Sequence, residues 1–126
     1  MKLPNCHDSE IIGVSNKNRD LVINIELDSA FEPNKELLTL YLKNCMRSKY
    51  WYNVIKKYAV SGYLYHRHFH SPNSIDSIKL NRNELIIYLH YNGSFFYKSF
   101  RGKLVKLPLP PQNRVVRIRF ESLKIN

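Results

Sequence analysis

With 126 residues, the chain has the length of one domain and can bury a core without disulfides or metal, so residues 1–126 are taken as a single unit. An apolar fraction of 44% with 13% aromatics excludes a disordered polymer, and no stretch approaches the ~20 apolar residues of a membrane span. Twenty Lys and Arg against ten Asp and Glu leave a net charge of +10, which points to an anionic partner.

The opening residues, Met1 to Asp8, hold no apolar run suited to a signal peptide, so a cytoplasmic location is expected. A short strand is predicted around Glu10 to Ser15. From Asp20 to Asp28, Leu21, Ile23, Ile25 and Leu27 alternate with Val22, Asn24 and Glu26, the period of a half-buried strand. Residues 35–46 admit two readings. Leu37, Leu38, Tyr41, Leu42 and Cys45 fit a helical face, while Leu38, Leu40 and Leu42 fit one side of a strand. Tyr50, Trp51, Val54, Ile55, Tyr58 and Ala59 recur at helical spacing and predict a helix over 49–60, with Gly62 placed to end it in a left-handed cap.

The second half reads as an antiparallel meander of short apolar-rich runs: Ile78–Leu80, Glu84–Tyr91, Ser94–Phe100, Lys103–Leu107 and Arg114–Phe120. Leu107-Pro108-Leu109-Pro110-Pro111 reads as a rigid connection between strands. Asn92-Gly93 between two of these runs is a strong hairpin signal, because a type I′ turn needs positive φ at both central residues. With Tyr91 opposite Ser94, His90 pairs with Phe95, Leu89 with Phe96, Tyr88 with Tyr97 and Leu85 with Phe100.

In that register Leu85, Ile87, Leu89, Phe96 and Phe100 form the core side. Ile86, Tyr88, His90, Phe95, Tyr97 and Arg101 form an unusually aromatic opposite side. In the last long strand Val116, Ile118 and Phe120 point one way and Arg117 and Arg119 the other. If the two outer faces adjoin, they make a basic patch interleaved with aromatics, the composition of an interface. The alternative, that the helix covers Tyr88 and Tyr97, stays open.

Charge is unevenly spread. Residues 1–36 hold four basic and seven acidic side chains, and no acid occurs between Glu36 and Asp76. His66, His68 and His70 alternate in Tyr65-His66-Arg67-His68-Phe69-His70 and would project from one side of a strand, but structural zinc sites usually draw ligands from two segments. No metal and no cofactor is expected. A ribonuclease would need two placed histidines and a cation; His66, His68, His70 and His90 are available, but no spacing selects a set. Phosphate-cradling glycine loops and nucleophile elbows are missing, so the chain is expected not to be an enzyme. Cys6 and Cys45 lack Cys-x-x-Cys spacing and are expected as reduced thiols.

Leu3-Pro4-Asn5-Cys6-His7-Asp8-Ser9-Glu10-Ile11, followed by the strand Asp20-Leu21-Val22-Ile23-Asn24-Ile25, resembles the start of small bacterial β-rich domains that open with His-Asp-Ser-x-Ile. Several of those are immunity proteins of polymorphic or contact-dependent growth inhibition toxin systems. The likeness covers about the first 30 residues, with a looser echo in the later strands and in Arg117-Ile118-Arg119-Phe120-Glu121. It implies structural roles for His7 and Asp8, with Asp8 closing the turn into the first strand. It also implies an antitoxin that occludes its target stoichiometrically. Immunity proteins against basic nucleases are commonly acidic, whereas this chain is basic, so the toxin surface implied here is acidic.

The expectation is therefore a single α+β domain, an antiparallel β-meander sheet with one or two helices in the middle of the chain. Its expected function is toxin inhibition through a protein-protein interaction, with an RNA- or single-strand-binding module as the competing class. The partner-binding residues expected are Arg67, Tyr88, His90, Tyr97, Lys98, Arg101, Arg117 and Arg119. The expected partner is an acidic toxin domain, possible nucleases included, with nucleic acid as the alternative and no membrane.

Overall fold

A computed structural model of the protein describes residues 3–56, 73–91, 94–109 and 112–126. The fold is α+β, mostly antiparallel strands with one described helix, in keeping with the composition. The alternating apolar run of Asp20–Glu26 forms β2, with Leu21, Ile23 and Ile25 fully buried. It is flanked by β1 (Glu10–Lys17) and β3 (Leu37–Lys43), and β9 (Ser122–Ile125) closes the far side of β3. Residues 37–43 are thus a strand: Leu38, Leu40 and Leu42 are buried, while Leu37 and Tyr41 on the other side stay exposed. Burying that face against a neighbouring sheet decides between two periodicities that local pattern leaves balanced.

A second sheet orders β4 (Asn73–Asn81), β5 (Glu84–Tyr91) and β8 (Gln112–Arg119), and β6 (Ser94–Phe100) pairs with β7 (Lys103–Leu109) in a separate ribbon. The two larger sheets join along one edge, where Ser9 bridges Ile75 with bonds of 2.9 Å (Asp8 N to Ile75 O) and 2.7 Å (Ile75 N to Ser9 O). At the other edge the chain passes from β8 to β9, and Glu121 N donates to Lys43 O at 2.9 Å. Between the sheets lies one apolar cluster. Leu21, Ile23, Ile25, Leu38 and Leu40 from the first sheet share it with Ile75, Leu85, Ile87, Val116 and Ile118 from the second. Each such side chain contributes about 1.5–3 kcal/mol on burial. Residues 48–56 form the helix α1, which inserts Ile55 into this cluster with Trp51 and Val54 packed beside it. The rest of the expected helix, residues 57–60 and the cap at Gly62, lies outside the described residues.

The expected hairpin across Asn92-Gly93 is corrected by the pairing of β5. Both its edges are taken: Leu85 stands opposite Leu80 on one side and Ile118 on the other, and Leu89 stands opposite Ile75 and Arg114, not Phe96. β5 buries Leu85, Ile87 and Leu89, so it needs neighbours that extend the same apolar face. β4 offers Ile75, Ile78 and Leu80, and β8 offers Val116 and Ile118. The type I′ geometry occurs instead at Arg101-Gly102, where φ is 50° and 75° and Phe100 pairs with Lys103. Asn92 and Gly93 themselves lie outside the described residues. β7 also runs further than the sequence suggests, taking Pro108 opposite Phe95 and Leu109 opposite Ser94; a proline is tolerated where a strand has a free edge.

The β4–β5 connection is a two-residue loop, Arg82-Asn83, between paired Asn81 and Glu84. Arg82 takes φ 55°, a left-handed conformation that glycine adopts without steric cost. Replacing it with glycine (Arg82→Gly) is expected to relieve about 1–2 kcal/mol of left-handed strain against about 0.4–1 kcal/mol of extra unfolded-chain entropy, a net gain in stability of up to about 1 kcal/mol. A urea midpoint that rises with unchanged slope bears this out; a midpoint that falls contradicts it.

Candidate functional site

Residues directly opposite in an antiparallel pair share a face, so the register builds the outer side of the β4–β5–β8 sheet. Glu84, Ile86, Tyr88 and His90 of β5 face outward with Arg119, Arg117, Val115 and Asn113 of β8 opposite them. Asn81, Lys79, Ser77 and Ser74 of β4 stand on the other side. Tyr88, His90, Arg117 and Arg119 therefore share one face, a pairing that the alternation in each strand left open. Arg117 and Arg119 are well exposed, 56% and 72%. Tyr88 is half-buried, and Lys79 Nζ lies 5.5 Å from its ring centroid. Ile86 is only 7% exposed although it faces outward, because it stands between Lys79 and Arg117, long side chains whose stems cover apolar surface. α1 inserts Ile55 into the inner cluster, on the side of β5 away from Tyr88.

Of the other expected site residues, those described belong to the β6–β7 ribbon. Arg101 sits in the β6–β7 turn, in a separate ribbon. Tyr97 and Lys98 belong to β6, where they pair with Lys106 and Val105, and their side chains lie outside what is described. Arg67 lies outside the described residues, as does the row His66, His68 and His70.

Sequence reasoning missed Glu84 and Lys79. Glu84 places Oε1 at 3.4 Å from Arg117 Nη1 and Oε2 at 3.6 Å from Arg119 Nε, so one carboxylate holds both arginines. The β5–β8 pairing alone reveals this, since Glu84 is opposite Arg119 only in that register.

Beyond the face, strand topology sorts the charges by end. Asp8, Glu10, Glu26, Asp28, Glu32, Glu36 and Asp76, seven of the ten acids, gather where β1 begins, β2 ends and β3 and β4 begin. The opposite end collects the turns Asn18-Arg19, Asn44 to Arg47, Arg82-Asn83 and Phe120-Glu121. The three acids there are engaged: Asp20 Oδ1 accepts Asn44 N–H at 3.0 Å, Glu121 Oε2 accepts Asn44 Nδ2–H at 2.9 Å, and Glu84 holds its two arginines. Two clefts flank Met46 at this end. One, of about 610 Å³, is lined by residues that include Arg82, Glu84, Arg119 and Glu121; the other, of about 500 Å³, includes Arg19, Arg47, Lys49 and Tyr50.

At the acidic end, the turn that the Asp8 side chain is expected to close is closed by another residue. Asn5 Oδ1 accepts His7 N–H at 3.0 Å and closes the turn, and Asp8 contributes its main chain to the Ile75 bridge. His7 Nδ1 donates to Asp76 O at 3.0 Å, and Phe31 meets the imidazole edge-on at 4.9 Å.

Neither thiol is poised as a nucleophile: Cys6 and Cys45 are free and buried, and burial, with Glu32 near Cys6 and Asp20 near Cys45, pushes each up to about 11. Among the described residues no group of three His, Cys, Asp or Glu is arranged to hold a metal ion, and no helix is long and apolar enough to cross a membrane. Compared with known protein families, curated proteins and solved structures, the chain has no match.

The Asp76 carbonyl, helped by the Asp8, Asp76 and Asp28 carboxylates and opposed by partial desolvation, raises the His7 pKa above its ordinary 6.5. A raised folded value means that protonation favours the folded state. The stabilisation is complete below 6.5, the unfolded value, and is lost as pH rises through the folded midpoint. An NMR titration is expected to place the His7 midpoint above 6.5, and His7→Gln is expected to flatten the pH dependence of stability across that window. A midpoint below 6.5 contradicts this reading.

Proposed function

We propose that the chain is an immunity protein: a cytoplasmic, non-catalytic inhibitor that neutralises a cognate bacterial toxin by covering an acidic surface of it one to one. The observation that carries this reading is the outer face of β4–β5–β8, where Lys79 and exposed Arg117 flank Ile86, Lys79 also reaches the Tyr88 ring, and exposed Arg119 stands next along β8. Interfaces concentrate arginine and aromatic residues in this way, with an apolar centre inside a polar rim. The net charge of +10 steers encounter with an anionic partner, and apolar contact then slows release.

A nucleic acid would meet the same cations, but the Glu84 carboxylate between the two arginines faces a backbone that carries only negative charge. A protein surface can present both signs. The opening residues' likeness to immunity domains supports the same class, and the basic charge specifies an acidic toxin face.

The test is a pull-down from nuclease-treated cells with the wild type and an Arg117→Gln/Arg119→Gln variant. Glutamine keeps part of each stem and sets no new carboxylate beside Glu84, and losing exposed pairs costs less than about 1 kcal/mol per pair. The wild type is expected to retain one acidic protein in a one-to-one complex that protects cells producing it, and the variant is expected to associate about tenfold more slowly. Retention of nucleic acid alone, with nothing held after nuclease treatment, overturns the proposal in favour of a nucleic-acid-binding module.

A further inference from the structure

The end of the molecule built from four turns does more than close the sheets. Met46 is 62% exposed and Tyr50 45% exposed, and the two large side chains line the same cleft at a tightly hydrogen-bonded end. The backbone beneath them is fixed: Cys45 N donates to Arg19 O at 2.7 Å, Met46 N to Arg119 O at 2.9 Å, and Phe120 N to Asn83 O at 2.9 Å. Met46 thus stands as a ridge on a fixed backbone and lines both clefts, of about 610 and 500 Å³. Arg47 stacks on the Tyr50 ring at 4.3 Å, while Arg19, Lys49 and Arg82 stand exposed around the ridge. Among the described residues, four of the six non-glycine ones with positive φ, Asn18, Asn44, Arg47 and Arg82, belong to these turns. Arginine in that conformation costs about 1 kcal/mol relative to glycine, a cost retained where the side chain itself is used.

We propose that this end, with Met46 at its centre, is a docking surface for an acidic segment of a protein partner. This rests on the reading of the chain as a binder of an acidic protein and gives that protein a second, more apolar contact beside the β5–β8 face. Met46 and Tyr50 supply the desolvated centre, and Arg19, Arg47 and Arg82 the complementary charge. A polypeptide fits better than a nucleic acid for two reasons. The larger cleft is lined by Arg82 and Arg119 and also by Glu84 and Glu121, a mixture that a polypeptide can meet with carboxylates and backbone N–H donors together and a uniformly anionic phosphate backbone cannot. Arg47 already occupies one face of the Tyr50 ring, and Trp51 contacts it edge-on at 4.9 Å, which leaves little ring surface for base stacking.

The experiment titrates the full chain with a short peptide of Glu and Asp flanking one Phe, read by amide chemical shifts and by fluorescence anisotropy. A Gln and Asn analogue of the peptide and oligothymidine serve as comparison probes. The shifts are expected to cluster at residues 44–50, 82–83 and 119–121. Met46→Asp combined with Arg82→Gln is expected to weaken the acidic peptide about tenfold or more, while Arg117→Gln on the flat face changes it less than about twofold. Met46 and Arg82 are exposed, so the double variant keeps the fold, checked by its amide spectrum. Absent binding, equal binding of the neutral analogue, shifts centred on Tyr88, or tighter binding of oligothymidine at the same residues each overturn the proposal. The two readings fail separately. A one-to-one acidic partner retained undiminished by the double variant leaves the immunity reading and removes this surface. Peptide docking at Met46 in a protein that retains no acidic partner from cells leaves this surface and removes the immunity reading.

Discussion

Strand β5 must find neighbours on both edges, because Leu85, Ile87 and Leu89 are buried along its inner side and each neighbour has to extend that apolar face. β4 and β8 do so, and the remaining architecture follows from that demand. Taking β8 as a partner brings a strand from near the end of the chain beside one from its middle, and the chain then continues into β9 to complete the first sheet against β3. The β5–β8 ladder also determines what lies on the outer side. Period two puts every residue opposite Leu85 and Ile87 in the core and every intervening one outside, so Glu84, Arg117 and Arg119 meet because of hydrophobic burial on the other face.

Antiparallel strands bring alternate connections to the same end, and charge placed in connections is thereby sorted. The acids of residues 26–36 and Asp8 fall at one end with Asp76, whose place in the β4 bulge next to Ile75 puts it beside His7. Arg19, Arg47 and Arg82 fall at the other, each in a turn. A chain that is acidic in its first 36 residues and basic afterwards would be expected to divide by sequence halves. Folding divides it by strand ends instead, and Arg19 from the acidic stretch joins the cationic end while Asp76 from the basic stretch joins the acidic one.

Much of the fold was legible wherever one strand's own pattern was enough. The alternation at Asp20–Glu26 and the buried rows Leu85, Ile87, Leu89 and Val116, Ile118 needed no knowledge of partners. Pairing was harder to read. Asn92-Gly93 is a strong local turn signal, yet a turn contributes only while the strands beside it bury surface together, and β5 buries more between β4 and β8. Residues 37–43 show the same limit, for Leu38 and Leu42 satisfy both periods and only the sheet beside them chooses. The site inherits the pattern. Tyr88, His90, Arg117 and Arg119 were visible as outward residues, whereas Glu84 and the Met46 ridge depend on which strand ends meet and so were not.

Glu84 has a consequence for binding that net charge alone conceals. A carboxylate beside Arg117 and Arg119 subtracts from the field that draws an acidic partner, and to that extent opposes the function proposed for the face. Long-range attraction depends on the summed charge, however, and +10 leaves ample positive potential after one local carboxylate. At contact the balance changes. Ordering a long flexible side chain costs about 0.5–1.5 kcal/mol on association, and a guanidinium already held by a neighbour has less freedom left to lose. The side chain of Glu84 is itself only 21% exposed, anchored at the start of β5. It is therefore an anchored post beside two exposed arginines, and in the proposed complex it would trade a little attraction at distance for geometry at contact.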